Sequence, residues 1–514
     1  MSVQETEEAG VLAIGSGPML LSLVKAWFES GASRLAVCVT GSQPADAAVL
    51  SQLGEDARRG GKEALLQIAT ASDGGERDWR TLVRPYSFVL YVSSSGDVEE
   101  LRQLQHACAA EGKSMLPAVV LQGIGMAGPL LRPDGSGLWE SAWRRLHSSV
   151  FPADETPRPC YESALALLSY MLVHEWQLVT AGAKEPNCVD ACYVMELDAF
   201  TGSWHPVLPH PLASGLEAVR PAAFELGLEA DLDPAEPEAW FAALQRLTSP
   251  VTGVFHAWEE ADLIQLPLAQ CLVQPVDPLA EGAAGLLPPL VRSGLTHEEA
   301  RRESGLAGLE AYARRMLPLF FPERPASRLG HIGIGAGCTA AEAMGRGLVD
   351  CLSRMWNRRQ ASARRRASPI RCTQIEDARC RYYWQALQLT GGDPRIVSGE
   401  PLFGFPVLWV NSGSSWYGSV ELHATLALRR SLQKALARTD AAASGPDIVS
   451  EPPEQAVAFG GVESLTHAAL LRSAVRQLEH TGKRLELFDL RNESYLGTGP
   501  FVTYAVAIGE EGSP

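Results

Sequence analysis

From residue 11 onward the chain alternates short apolar runs with stretches whose apolar residues recur at helical spacing. "VLAIGSG" predicts a strand and tight turn, "MLLSLVKAWFESG" a helix closed by Gly31, and "RLAVCVTG" a second strand. "SFVLYVSSSG" reads as a strand, "DVEELRQLQHACAAEG" as a helix with an acidic start, and "MLPAVVLQGIG" as a further strand. Strands alternating with helices imply a parallel sheet wound on both faces. "YESALALLSYMLVHEWQLVTA" has the length and apolar density of a buried helix, and "CYVMELDAFTGSWHPVL" reads as two strands turning at Thr201 and Gly202. Between about residues 214 and 240 the chain becomes acidic and proline-containing, which suits an exposed linker. Beyond it, three segments repeat one device, a glycine and a polar residue ahead of an Ala/Leu-rich helix: "GLTHEEARRESGLAGLEAYARRM", "GAGCTAAEAMGRGLVDCLSRMW" and "GSVELHATLALRRSLQKALART". Arg358, Arg359, Arg364, Arg365, Arg366 and Arg371 cluster between two of these segments and read as a solvated, mobile loop.

At 514 residues the chain is long enough for two or three domains. A net charge of −16 opposes unspecific attraction to nucleic acid or to an anionic membrane, so neither is expected as a partner. The acidic opening and the lack of a long apolar run predict a cytoplasmic protein. Its 10 cysteines form no framework. Cys188 and Cys192 lie closest, without the second pair a structural zinc needs, so they read as buried thiols and no metal site is expected. His205, His210 and His331 have no clustered partners and read as structural or loop histidines.

The first turn could hold a phosphate, because Gly15 and Gly17 allow close backbone approach to a helix start. Leu20 occupies the third glycine position of the dinucleotide fingerprint, and Thr40 and Gly41 stand where a ribose-binding acid is expected after the second strand. Asp97 is the acid left near the strand ends, and it serves equally well as a helix N-terminal charge. Residues 8–213 resemble the ThiF-like, ubiquitin-activating superfamily, on the glycine turn, "SSSGDVEELRQLQHACAAEGK" and "GIGMAGPLLRPDGSG". The paired aspartates, the Arg-Gln pair and the zinc-binding C-x-x-C of active members are missing, so the turn is read as retained without its ligand.

After a linker at 214–236, residues 237–510 resemble the YcaO superfamily, on "LTSPVTGVFHAWEEADLIQLPLAQC", the three turn-helix segments in order and "LEHTGKRLELFDLRNESYLGTGPFVTYAVAIG". That resemblance implies magnesium and ATP held by carboxylates on the three helices. Glu310 matches one acid and Ala313 replaces its partner; Asp350 shortens another, Ser353 replaces its partner, and Arg354 is kept; Lys434 and Ala437 replace a glutamate and a glutamine. An ammonium about 4 Å from magnesium opposes its binding by several kcal/mol at an effective dielectric of about 20. Gly15, Gly17, Glu310, Asp350 and Arg354 are therefore vestigial nucleotide-binding candidates, with no catalytic residue among them. The bland reading of the two acids is a surface ion pair such as Arg346 with Asp350.

The whole predicts an α/β chain, a doubly wound Rossmann-type ThiF-like domain followed by an α+β YcaO-like domain. This combination resembles the ThiF-like bacteriocin maturation proteins, the F proteins of azoline-forming systems. The resemblance implies a non-catalytic scaffold that presents a ribosomal precursor peptide to a separate YcaO cyclodehydratase, with ATP and magnesium on that partner and no cofactor here. Only about ten residues precede the first strand, so leader recognition is expected from a separate chain. Homodimerisation stays open. The alternatives are an active ATP-dependent cyclodehydratase with unconventional ligands and an adenylating enzyme using the first domain alone.

Overall fold

The computed structural model describes residues 10–40, 44–60, 65–70, 78–152, 162–216, 219–225, 236–362, 366–439, 442, 445–449, 455–490, 493 and 499–510. The chain divides into two units: residues 1–216 with 249–253 and 280–286, and residues 217–248, 254–279 and 287–514.

The first unit is built on one eight-stranded sheet. Its strands are β1 (Val11–Gly15), β2 (Arg34–Val39), β3 (Leu65–Thr70), β4 (Phe88–Ser93), β5 (Ser114–Leu121), β6 (Ile124–Ala127), β7 (Ala191–Glu196) and β8 (Thr201–Pro206), in the order β3-β2-β1-β4-β5-β6-β7-β8. The five from β3 to β5 run parallel, while β6, β7 and β8 continue the sheet antiparallel. The chain winds outward in both directions from β1 and β4, which makes their C-terminal ends the switch point of the sheet. Helices α1 (Gly17–Glu29), α2 (Pro44–Arg59), α3 (Trp79–Val83), α4 (Val98–Ala110), α5 (Trp139–Arg145), α6 (Glu162–Thr180) and α7 (Pro211–Ser214) complete the unit. Two apolar clusters form its cores: one joins α1 and α6 to the sheet through Leu20, Leu23, Trp27, Leu165 and Leu172, and the other joins α4 and α5 through Leu101, Leu104, Trp139 and Ala142.

Two expectations change here. The run 115–125 is a hairpin rather than one strand, because Gln122 and Gly123 both take positive φ, 49° and 85°, the handedness a two-residue turn needs. Thr201 and Gly202 are paired inside β8, and the turn between β7 and β8 lies at 197–200, with Phe200 at φ 53°.

The described residues of the second unit form three sheets. Strands β9 (Arg220–Pro221), β10 (Phe255–Glu259), β11 (Ala269–Pro275), β12 (Leu290–Gly294), β13 (Gly333–Gly337), β14 (Arg366–Ile375), β15 (Arg395–Gly399), β16 (Val407–Ser412), β17 (Ser415–Val420), β18 (Asp447–Ile448), β19 (Gln455–Phe459), β20 (Lys483–Asp489) and β21 (Val502–Glu510) form the orders β10-β11-β12, β13-β21-β20-β9 and β17-β16-β15-β14-β18, with β19 also on β14. Its longer helices are α8 (Pro237–Leu247), α9 (His297–Arg315), α10 (Ala340–Ser362), α11 (Ala378–Gly391), α12 (Ala424–Ala437) and α13 (His467–His480). Arg220 and Pro221, inside the stretch read as a linker, pair with Asp489 and Phe488 of β20. The arginine-rich stretch is not a loop where it is described: Arg358 and Arg359 extend α10, and Arg366 and Arg371 lie in β14. Arg364 and Arg365 lie outside the described residues.

Candidate functional site

In the first unit, Gly15 and Gly17 sit at the switch point. Gly15 serves packing: a Cβ there would fall 2.2 Å from the Val92 carbonyl oxygen of the neighbouring strand. Gly17 has φ 66° and opens α1, whose N-cap Ser16 makes no side-chain capping bond. Leu20 is fully buried, filling the space where a third glycine would let the helix approach the sheet. Thr40 is buried, its amide donating to the Gly15 carbonyl at 2.9 Å, and Gly41 lies outside the described residues. Asp97 caps α4, accepting from the Glu100 amide at 2.9 Å. The turn has the backbone of an anion site, and the acid beside it serves as a helix cap.

The buried thiols of Cys188 and Cys192 are pushed upward by burial, the latter to about 12. His205 hydrogen-bonds Ser203, His210 caps α7, and His331 meets Arg358. Among the described residues no three His, Cys, Asp or Glu side chains come together as metal ligands.

The second unit assembles a charged site from its helices. Two of the three repeated starts are reciprocal caps: Thr296 accepts from the Glu299 amide while the Glu299 carboxylate accepts from Leu295, and Thr339 and Glu342 repeat this with Cys338. The third start uses His423, whose Nδ1 accepts from the Thr425 amide. Strand β13, "GIGAG", lies directly under α10. A Cβ on Gly333 would come 1.9 Å from the Gly347 carbonyl oxygen, and one on Gly335 1.9 Å from that of Ala343, so only glycine permits this approach.

That contact decides what Glu310 and Asp350 do. β13 is an edge strand of its sheet, pairing on one side with β21. On its other side the Ile334 amide donates to Asp350 at 3.0 Å and the Ala336 amide to Glu310 at 3.2 Å. The two acids thus satisfy alternate backbone donors of an otherwise open edge. Each is also held by arginine. Arg346 donates to Glu310 through Nε and to Glu303 through Nη1, both at 2.7 Å. Asp350 accepts from Arg314 Nη2 and from Arg354 Nε at 3.1 Å. The expected Arg346–Asp350 surface pair is therefore replaced: Arg346 points to α9, and Asp350 is taken by Arg314 from that same helix.

Around this core, Arg302 binds Glu342 at 2.6 Å and Arg430 binds Glu421 at 3.2 Å. Lys434 Nζ donates to the Gly418 carbonyl at 3.4 Å, and its charge acts on Glu421 together with Arg430 and Arg346. Burial raises the Glu421 carboxyl against those cations. Burial also pushes on Glu303, but Arg346, Arg302 and Arg430 outweigh it and hold that carboxyl below its ordinary range. Arg314 is lowered to about 10 by burial, with Asp350 opposing the shift. Ala313 is buried, and Ser353 and Ala437 are half-buried.

These residues do not fit a magnesium ion. A hard divalent cation needs several carboxylates in one place whose charge is not already balanced, whereas Glu303, Glu310, Glu342, Glu421 and Asp350 are each paired with an arginine. The sequence reading missed Glu303, Arg302, Arg314, Glu342, Glu421 and Arg430. A signal was present: Glu303 and Glu310 lie seven apart on one helix, and Glu342, Arg346, Asp350, Arg354 and Arg358 recur every four residues along another.

The fold and site define a two-unit α/β protein, with a doubly wound sheet in one unit and a charge-paired helix cluster in the other. No family model matches the sequence, and no curated protein matches it. Among solved structures the fold is similar to a heterocyclase in complex with substrate and cofactor, at 13% identity and TM-score 0.56, covering 98% of this chain and 80% of that one. It is similar as well to the heterocyclase TruD, at 14% identity and TM-score 0.51 with the same coverage. E. coli MccB with MccA-N7isoASN matches 40% of this chain and 65% of its own at 12% identity and TM-score 0.31. At these identities the likeness is one of fold. No described helix is long and apolar enough to cross a membrane.

Proposed function

We propose that this chain is a non-catalytic component of an azoline-forming heterocyclase system. It binds a ribosomal precursor peptide, directly or through a separate leader-recognition protein, and presents it to a separate YcaO cyclodehydratase that carries ATP and magnesium. One observation carries the reading: Glu310 and Asp350 are bound by Arg346, Arg314 and Arg354 and by the edge amides of β13, leaving a cluster with cations at every carboxylate. Bringing magnesium there would require breaking those pairs and leaving the arginine charges beside the ion. The similarity of fold to heterocyclases supports the setting by analogy.

The test is reconstitution with an intact YcaO enzyme and its precursor, reading the loss of one water mass per ring. Ring formation is expected to rise when this chain is added, while the chain alone makes no rings and releases no phosphate. Ring formation by the isolated chain with ATP and magnesium would refute the proposal.

A further inference from the structure

The eight-stranded sheet of the first unit ends at β8, whose inner side pairs with β7 from Thr201 to Pro206. The ladder continues one residue further, the Val207 amide donating to the Asp190 carbonyl at 2.8 Å. Antiparallel alternation then turns the backbone groups of Gly202, Trp204 and Pro206 outward. Pro206 lacks an N–H, so at an outward position it removes no ladder bond, and its carbonyl accepts from Thr252 Oγ1 at 2.9 Å. Gly202 and Trp204 therefore present the donors and acceptors of an open edge, and among the described residues no strand pairs with that side.

Directly beyond Pro206 the chain lines a cavity of about 400 Å³. Pro129, Leu138, Val207, Leu208 and Pro209 make it mainly apolar, with the Arg132–Asp190 ion pair and Ser214 at its wall. It lies at the end of the sheet opposite the Gly15–Gly17 turn, because β6 runs against β5 and hands the chain back toward the start of the parallel strands. At the other end of β8, Glu196 at the close of β7 and Asp198 in the following turn are exposed. An edge strand is completed only by another backbone, and a mainly apolar cavity beside its end selects a large apolar side chain.

We propose that the β8 edge and this cavity form a docking strip for an extended peptide. The peptide backbone pairs with Gly202 and Trp204, an aliphatic or aromatic side chain fills the cavity, and basic residues face Glu196 and Asp198. That the occupant is a precursor peptide rests on the function proposed above.

The probe is a display library of random dodecapeptides selected on the full chain. Enriched peptides are expected to carry a large apolar residue flanking an extended stretch and to slow hydrogen exchange over residues 201–206. They are expected to lose affinity at least about tenfold to S214W, which fills the cavity from an exposed position, and to L208D, which charges its wall. No enrichment, equal binding to both variants, or protection elsewhere overturns the strip. So does a dimer of the chain in which residues 201–206 are already protected, since a second copy would then be the occupant. The two proposals fail separately. If the wild-type chain stimulates a partner enzyme and S214W does so equally, the strip is wrong and the scaffold stands; if peptides bind the strip but the chain stimulates nothing, the strip stands and the scaffold falls.

Discussion

Arg346 bridges two carboxylates from α9, and removing it alone exposes what the cluster is for. R346M keeps the aliphatic stem and deletes the guanidinium, leaving Glu303 and Glu310 side by side without their shared cation. Breaking a fully buried ion pair costs about 3–5 kcal/mol. Here the three side chains retain 23%, 32% and 20% exposure, so water recovers part of the loss and the expected cost is about 2–3 kcal/mol. Hydrogen exchange over residues 297–315 and 340–362 reads this as roughly a 30- to 150-fold loss of protection. The pH dependence fixes the cause. In the wild type the Glu303 carboxyl lies below its ordinary 4.5, so its contribution is present above that pH and is lost as pH falls through the folded value. In R346M the burial that opposed Arg346 acts with less to offset it, and the Glu303 carboxyl moves up. The deficit is then greatest near neutral pH and shrinks as pH falls and the orphaned Glu303 takes up a proton. E303Q/E310Q/R346M should regain most of the loss, because it leaves no uncompensated charge. A deficit equal at pH 7.5 and 4.5, or protection changed less than about threefold, would refute the reasoning.

D350A removes the acceptor for the Ile334 amide and the partner of Arg314 and Arg354, and is expected to cost about 2–3 kcal/mol in urea unfolding, with D350N losing about half as much because it keeps an acceptor. G335A would press a methyl into backbone 1.9 Å away, so it should force α10 off β13 and yield little soluble protein; a well-folded G335A would show that the contact is loose. His210, lowered to about 2 by burial and by Arg145 and Arg144, stays neutral in the folded chain. The unfolded chain protonates it below about 6.5, so stability drains from that pH downward by about 1.4 kcal/mol per unit. H210N, which retains an acceptor for Leu212, should remove about that much of the difference in first-unit urea midpoints between pH 7.5 and 5.5.

The order of elements was readable where periodicity and end signals agreed, as at β1, α1, β2 and α4, whose apolar positions follow the burial seen. It failed where backbone handedness decides. Gln122 turns the chain with φ 49°, a choice that no apolar pattern marks, and the 197–200 turn is set by Phe200 at φ 53° rather than by the glycine two residues on. The arginine-rich stretch misled because charge was equated with loop, although long basic side chains sit readily on the exposed faces of helix and strand.

The fate of Glu310 and Asp350 was hidden for a different reason. Their arginine partners on the facing helix lie 36 residues away, and their amide donors belong to a strand whose edge position is a property of the whole sheet. A local reading could see two surviving acids but not what they face. With the strand in view, the two acids have a structural role independent of metal: a carboxylate at each alternate residue closes β13 against a second strand, and an arginine from the facing helix balances each one. The presence of acids at such positions is therefore no measure of metal chemistry. What separates the two is whether their charge is already balanced, and in this cluster Arg314, Arg346 and Arg354 balance it.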